Sequence, residues 1–133
     1  MKNGSIIVID DDEDDRQLYK IAFENLHVKN KVRIFSDSVD AFKYLKATDE
    51  QIFFILCDIN MPKLNGLELR QKINDDETLR VKAIPFLFLS TSDSDELVDK
   101  AFTLNIQGFF MKPSTVDRLE IILVAILNYW DKS

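Results

Sequence analysis

Staples, breakers and anchors are all scarce in this chain. It has a single cysteine, Cys57, so no intramolecular disulfide can form, and no CxxC or mixed Cys/His zinc spacing occurs. Set in an apolar run, Cys57 reads as a small core residue rather than a redox centre. Three glycines and three prolines in 133 residues leave room for short loops but not for long linkers or low-complexity segments. No secretory leader is recognisable and no apolar stretch nears the roughly 18 residues of a membrane span, so the expected location is cytoplasmic, with no membrane partner. Cations are short too: 17 Lys and Arg stand against 23 Asp and Glu, a formal charge of −6. Nucleic-acid binding needs a basic footprint, which argues against that class and favours cationic partners or metal ions. The one histidine, His27, sits among polar neighbours with nothing to pair with, and reads as solvated.

What is present is one domain's worth of chain, residues 1–133, with apolar and charged fractions of 46% and 30% that suit an unstapled globular core. Short apolar runs recur: SIIVI from Ser5 to Ile9, VRIF from Val32 to Phe35, Ile52 to Cys57, FLFL from Phe86 to Leu89, and Phe109 to Met111. Unbroken runs of strand length imply strands buried on both faces. Helical periodicity fills the gaps. The first helix is expected to bury Leu18, Ile21, Ala22 and Leu26, with Tyr19 and Phe23 on the adjoining stripe. Others run through Ala41, Phe42 and Leu45 after the capping residues Ser36 to Ser38, and from Gly66 through Leu67, Leu69 and Ile73. A single turn is expected at Leu79 and Val81, then a helix from Asp95 to about Leu104 and a last one from about Thr115 to Trp130. Five alternations of strand and helix predict an α/β fold, a doubly wound five-stranded parallel sheet with helices on both faces.

Four of the five strands stop at a group that can do chemistry: Asp10-Asp11, Asp58, Ser90-Thr91 and Lys112. In a parallel sheet these ends open on one edge. Several carboxylates together repel unless a cation joins them, and an oxygen-rich set of this kind suits Mg²⁺. With a lysine for phosphate and a hydroxyl donor beside one nucleophilic aspartate, the set predicts phosphoryl transfer.

The motifs IIVIDDD (Ile6 to Asp12), ILCDINMPKLNG (Ile55 to Gly66), FLFLSTS (Phe86 to Ser92) and GFFMKP (Gly108 to Pro113) resemble the receiver domain of two-component response regulators, over essentially the whole chain. The resemblance implies a CheY-like, flavodoxin-like sheet of order 2-1-3-4-5. It implies Asp58 as the phosphoacceptor, served by a histidine kinase or a histidine phosphotransfer protein. Asp11, with Asp10 beside it, would bind Mg²⁺ together with Asp58 and the backbone carbonyl of Asn60. Lys112 would pair with the phosphoryl oxygens, and Ser90 and Phe109 would form the switch. Pro113 would follow a cis bond. Asn65 replaces the aspartate common in relatives, Phe109 lacks a tyrosine hydroxyl, and Asn60 and Ser92 stand where the family tunes phosphate loss. Self-catalysed phosphorylation of this kind is not conventional enzymology.

Blander and rival readings exist. The run Asp10 to Asp15 could be only an acidic helix start. An EF-hand fails, since no glycine stands at the sixth place and Ile21 occupies the bidentate position. A haloacid-dehalogenase-type phosphatase would use Asp10 as nucleophile with Asp12, but would leave Asp58 and its MPKLNG unexplained. With no output domain after the last helix, the expectation is a stand-alone receiver that works by contact or onward relay. Ile121 and Val124 fall on the solvent side of that helix, marking an interaction surface, for an unknown downstream partner or a homodimer, gated by Phe109 beneath it.

Overall fold

The computed structural model describes residues 2–131. In chain order it contains β1 (Ser5–Ile9), α1 (Glu13–Asn25), β2 (Val32–Phe35), α2 (Ser38–Ala47), β3 (Ile52–Cys57), α3 (Gly66–Asp75), α4 (Glu77–Lys82), β4 (Phe86–Ser90), α5 (Asp95–Phe102), β5 (Gly108–Met111) and α6 (Val116–Asp131). The five strands are all parallel, in the order β2-β1-β3-β4-β5. This is the doubly wound sheet expected from the alternation of runs.

The strands carry no polar face because each face has its own core. Period-two alternation sends Ile7, Ile9, Ile55, Cys57, Phe86 and Phe88 to one side, where Ala41, Leu45, Leu69, Ile73 and Ala101 of α2, α3 and α5 meet them. Ile6, Val8, Phe54, Leu56, Leu87 and Leu89 go to the other, against Tyr19, Ala22 and Phe23 of α1 and Leu119, Leu123 and Ile126 of α6. Strand β3 lies at the centre with all six residues buried. None of the described helices is long and apolar enough to cross a membrane.

Local chemistry sets the helix starts. The side chains of Asp12, Asp37, Asn65 and Ser94 each accept a backbone N–H of the first turn that follows, and Asn65 does so within a reciprocal capping box with Glu68. Three details differ from the periodicity. Ile21 is 37% exposed, and α1 instead turns Tyr19, Ala22 and Phe23 inward, a stripe at i, i+3 and i+4 rotated from the one expected. The turn at Leu79 is a short helix that buries Leu79 and leaves Val81 exposed. α5 stops at Phe102, so half-buried Leu104 lies in the loop beyond it.

The loop after β3 is closed by a tight approach. Gly66 N–H donates to the carbonyl of Ile59 at 2.8 Å, drawing the start of α3 onto the backbone that follows Asp58. A Cβ at Gly66 would collide with the carbonyl oxygen of Asp58 and come within 2.9 Å of Ile59 Cα and a Phe88 ring carbon. Glycine is needed here for space. Gly66→Ala is expected to cost about 1–3 kcal/mol of stability, read as a lowered urea midpoint, since the atoms it meets are largely backbone.

Candidate functional site

The sheet's own hydrogen bonds carry three chemical groups into place. The parallel ladder runs one residue past the strands: Asp10 N–H donates to Phe35 O at 3.0 Å, Asp58 N–H to Ile9 O at 2.9 Å, and Lys112 N–H to Ser90 O at 2.8 Å. Asp10, Asp58 and Lys112 are thus anchored by backbone at the carboxyl edge, where such sheets bind ligands. Arg16 braces the first of them by donating to the Asp10 carbonyl at 3.0 Å. Ser90, fully buried at the end of β4, accepts from Ser92 N–H at 3.1 Å through its hydroxyl oxygen.

The side chains converge around one ammonium. Lys112 Nζ lies 2.8 Å from Asp10 Oδ2, 2.7 Å from Asp15 Oδ2 and 3.3 Å from Asp58 Oδ2. Asp58 Oδ1 accepts the Ile59 N–H at 2.8 Å, which fixes the carboxylate and turns its other oxygen to the lysine. Burial pushes the Asp58 carboxyl above its ordinary value, while Lys112 and the Ile59 N–H pull it back. Burial acts harder on Asp10, raised from 3.8 to about 6 despite Lys112 and the Asp12 N–H. For Lys112, burial would lower the ammonium's pKa, but the close ion-pair contacts with Asp10 and Asp15 and the charges of Asp10 and Asp58 carry it above the ordinary lysine value.

This donor set fits a hard divalent cation. One oxygen each from Asp10, Asp11 and Asp58 lies within 4.8 Å of the others. Asp10 Oδ2 is buried and receives no hydrogen bond of good geometry among the described residues; the nearby Lys112 ammonium is its compensation. A buried anionic oxygen with spare acceptor capacity, beside two more carboxylates, is what Mg²⁺ coordination uses. Asn60 stands exposed on the loop two residues beyond Asp58.

Other expectations need correction. Asp12 does not enter the pocket; its carboxylate caps α1 by accepting from Asp14 and Asp15 N–H, which leaves the phosphatase reading without its second carboxylate. No cis peptide occurs among the described residues, so the Lys112–Pro113 bond is trans, the lower-energy isomer of an X-Pro bond. Phe109 does not lie beneath α6. Strand alternation sends it to the α5 side, its ring 6.4 Å from that of Phe88, while Phe110 packs on the α6 side. Asp15 was not singled out from the sequence. Its position four residues before the buried Tyr19 is the signal that would have found it, because residues four apart share a helix face.

A parallel sheet of order 2-1-3-4-5, with carboxylates and a lysine at its carboxyl edge and a buried serine ending β4, defines the receiver class of α/β switch modules. Comparison with known proteins agrees. The family model for the response regulator receiver domain matches residues 6–124. FilR2 of Methanothrix harundinacea, described as a probable methanogenesis regulatory protein, is 28% identical over 94% of this chain and 82% of its own length. Chemotaxis protein CheY-3 of Vibrio cholerae is 29% identical over 90% of this chain and 88% of its own. The crystal structure of the phosphorylated cyanobacterial phytochrome response regulator RcpA superposes with a TM-score of 0.83 at 27% identity, covering 96% of this chain and 94% of that one. The chain belongs to the response regulator receiver family of two-component signalling, whose members are in general not conventional enzymes.

The raised Asp10 carboxyl makes a stability prediction. The folded state holds this proton more tightly than the unfolded chain, so stability falls as pH rises from about 4 to about 6, by roughly 2–3 kcal/mol for a shift of about two units. Asp10→Asn is expected to be more stable than wild type at pH 7 by up to that amount. The two should converge near pH 4, as urea unfolding at both values will read out.

Proposed function

We propose that Asp58 accepts a phosphoryl group from a phosphohistidine donor, either a histidine kinase or a histidine phosphotransfer protein, and that the chain works as one cytoplasmic receiver unit. The observation that carries this reading is the Lys112 ammonium 3.3 Å from an Asp58 oxygen whose twin is fixed by the Ile59 N–H. A carboxylate held this way presents one oxygen to an incoming phosphorus, and a buried ammonium stands ready for the charge that arrives with it. That the solved RcpA is phosphorylated is consistent with the same role here.

In the transfer, an Asp58 oxygen forms the new P–O bond while the P–N bond to the donor imidazole breaks, and the bonding electrons leave with the imidazole nitrogen. Lys112 turns N–H donors to the phosphoryl oxygens. Ser90, released from Ser92 N–H, can add its hydroxyl. Asp10 and Asp11, with Asp58 and the Asn60 carbonyl, would hold Mg²⁺, which when bound would neutralise phosphoryl oxygens and screen the carboxylates from them. Ser90 and Phe109 lie on neighbouring strands, so a change at the serine has a short route to the aromatic and to the α5–β5–α6 side.

That side carries the surface we assign to a downstream partner, a second copy of this chain included. Ile121 is 69% exposed and Val124 39%, on a helix whose inward face is already filled by Leu119, Leu123 and Ile126. Exposed Met111 lies in β5, the strand that carries Phe109.

Intact mass after incubation with Mg²⁺ and acetyl phosphate tests the acceptor. Wild type is expected to gain one phosphoryl mass only with Mg²⁺ present, Asp58→Asn none, and Lys112→Met to react on the order of a hundredfold more slowly. A wild type that neither gains mass nor binds beryllofluoride would refute the reading. For the surface, glutamate at both Ile121 and Val124 is expected to weaken self-association or partner capture of the phosphorylated form, measured by sedimentation or pull-down, with phosphorylation unchanged. Unchanged association would refute that assignment.

A further inference from the structure

We infer that Asp15 is the counter-ion of Lys112, a positioning residue that sets where the ammonium rests and competes with the phosphoryl group for it. The inference rests on the phosphoacceptor reading above and extends it to a residue outside the metal-binding set. An ammonium has three N–H donors, and Lys112 faces three carboxylates. The shortest of the three contacts is to Asp15, at 2.7 Å. Asp15 is not among the carboxylates clustered to receive a cation, which are Asp10, Asp11 and Asp58. Among the described residues its side chain makes no other ion pair or hydrogen bond.

The fold builds this contact from the far side of the pocket. Asp15 stands in the first turn of α1. Its place on the same face as Tyr19 points it inward, and Leu18, Tyr19, Pro113 and Leu119 line the space around the pair. The side chains of Asp15 and Lys112 are 24% and 9% exposed, so solvent screens the pair less than it would a surface bridge.

A division of labour follows. A divalent cation on Asp10, Asp11 and Asp58 takes away the lysine's other partners, and Asp15 alone keeps the ammonium in place. When a phosphoryl group arrives on Asp58, the same bond must lengthen or break for Lys112 to serve the phosphoryl oxygens. Removing the Asp15 charge therefore has two opposite effects. The freed ammonium settles more firmly on Asp10 and Asp58 and opposes cation entry, yet it is handed to a phosphoryl mimic at lower cost.

The test uses the full chain and two probes, Mg²⁺ alone and beryllofluoride at saturating Mg²⁺, both followed by calorimetry. Asp15→Asn is expected to bind Mg²⁺ about two- to fivefold more weakly and beryllofluoride about two- to fivefold more tightly, the span of a partly shielded ion pair. A merely structural role would weaken both. Asp14→Asn, an exposed neighbour of equal charge, controls for the long-range field and is expected to change each affinity less. In a Lys112→Met background the Asp15→Asn effect on Mg²⁺ should shrink to that of the Asp14 control. An effect that persists without the lysine, or an Asp15→Asn protein indistinguishable from the control, overturns the inference. If Asp15→Asn does not fold, Asp15→Ser is read by the same criteria. Wild type that binds beryllofluoride beside a flat Asp15→Asn response leaves the phosphoacceptor reading standing and removes only Asp15. Wild type that fails to bind it removes both.

Discussion

Two buried carboxylates cannot share the edge of a sheet without a cation between them. Asp10 and Asp58 follow adjacent strands, and the hydrogen bond from Asp58 N–H to Ile9 O holds them side by side. Burial raises the cost of both charges, and the charge of Asp58 on Asp10 and of Asp11 on Asp58 raises it further. The Lys112 ammonium is the fixed charge that meets this demand, and it can do so only because β4 and β5 bring it back to the same edge. The site is thus held together by an electrostatic debt that a divalent cation is suited to settle.

That debt explains the neighbouring architecture. Asp12 is consumed as the cap of α1, which anchors the helix that carries Asp15. Arg16 holds the Asp10 carbonyl from the same helix. On the other side, Gly66 lets α3 press against the backbone after Asp58. Each is a local device, and together they keep a repulsive cluster from relaxing into solvent.

Much of this was legible from the order of residues. Continuous apolar runs such as IFFILC mark strands covered on both faces, since an open sheet would alternate. Alternation with helices then brings the strand ends to one edge, so Asp10, Asp11, Asp58, Ser90 and Lys112 could be gathered from sequence although they span most of the chain. The less legible parts depended on rotation and partner choice. Ile21 and Tyr19 are equally plausible core residues from spacing alone, because a helix with apolar residues on two stripes can turn either one inward. That rotation also decided Asp15: once Tyr19 faces the core, the residue one turn earlier faces the lysine.

The sequence by itself determined the class of fold and the edge at which its carboxylates and lysine gather, because periodicity and strand-end position are local properties that survive without coordinates. Only the tertiary structure decided how the acids divide their work, with Asp10 facing the lysine, Asp12 capping and Asp15 pairing. It alone put Phe109 on the α5 face rather than under α6. The Asp10 and Asp15 contacts with Lys112 join segments far apart in the chain, which no local pattern encodes, whereas the Asp12 cap and the side taken by Phe109 follow short-range rules once helix start and strand register are set.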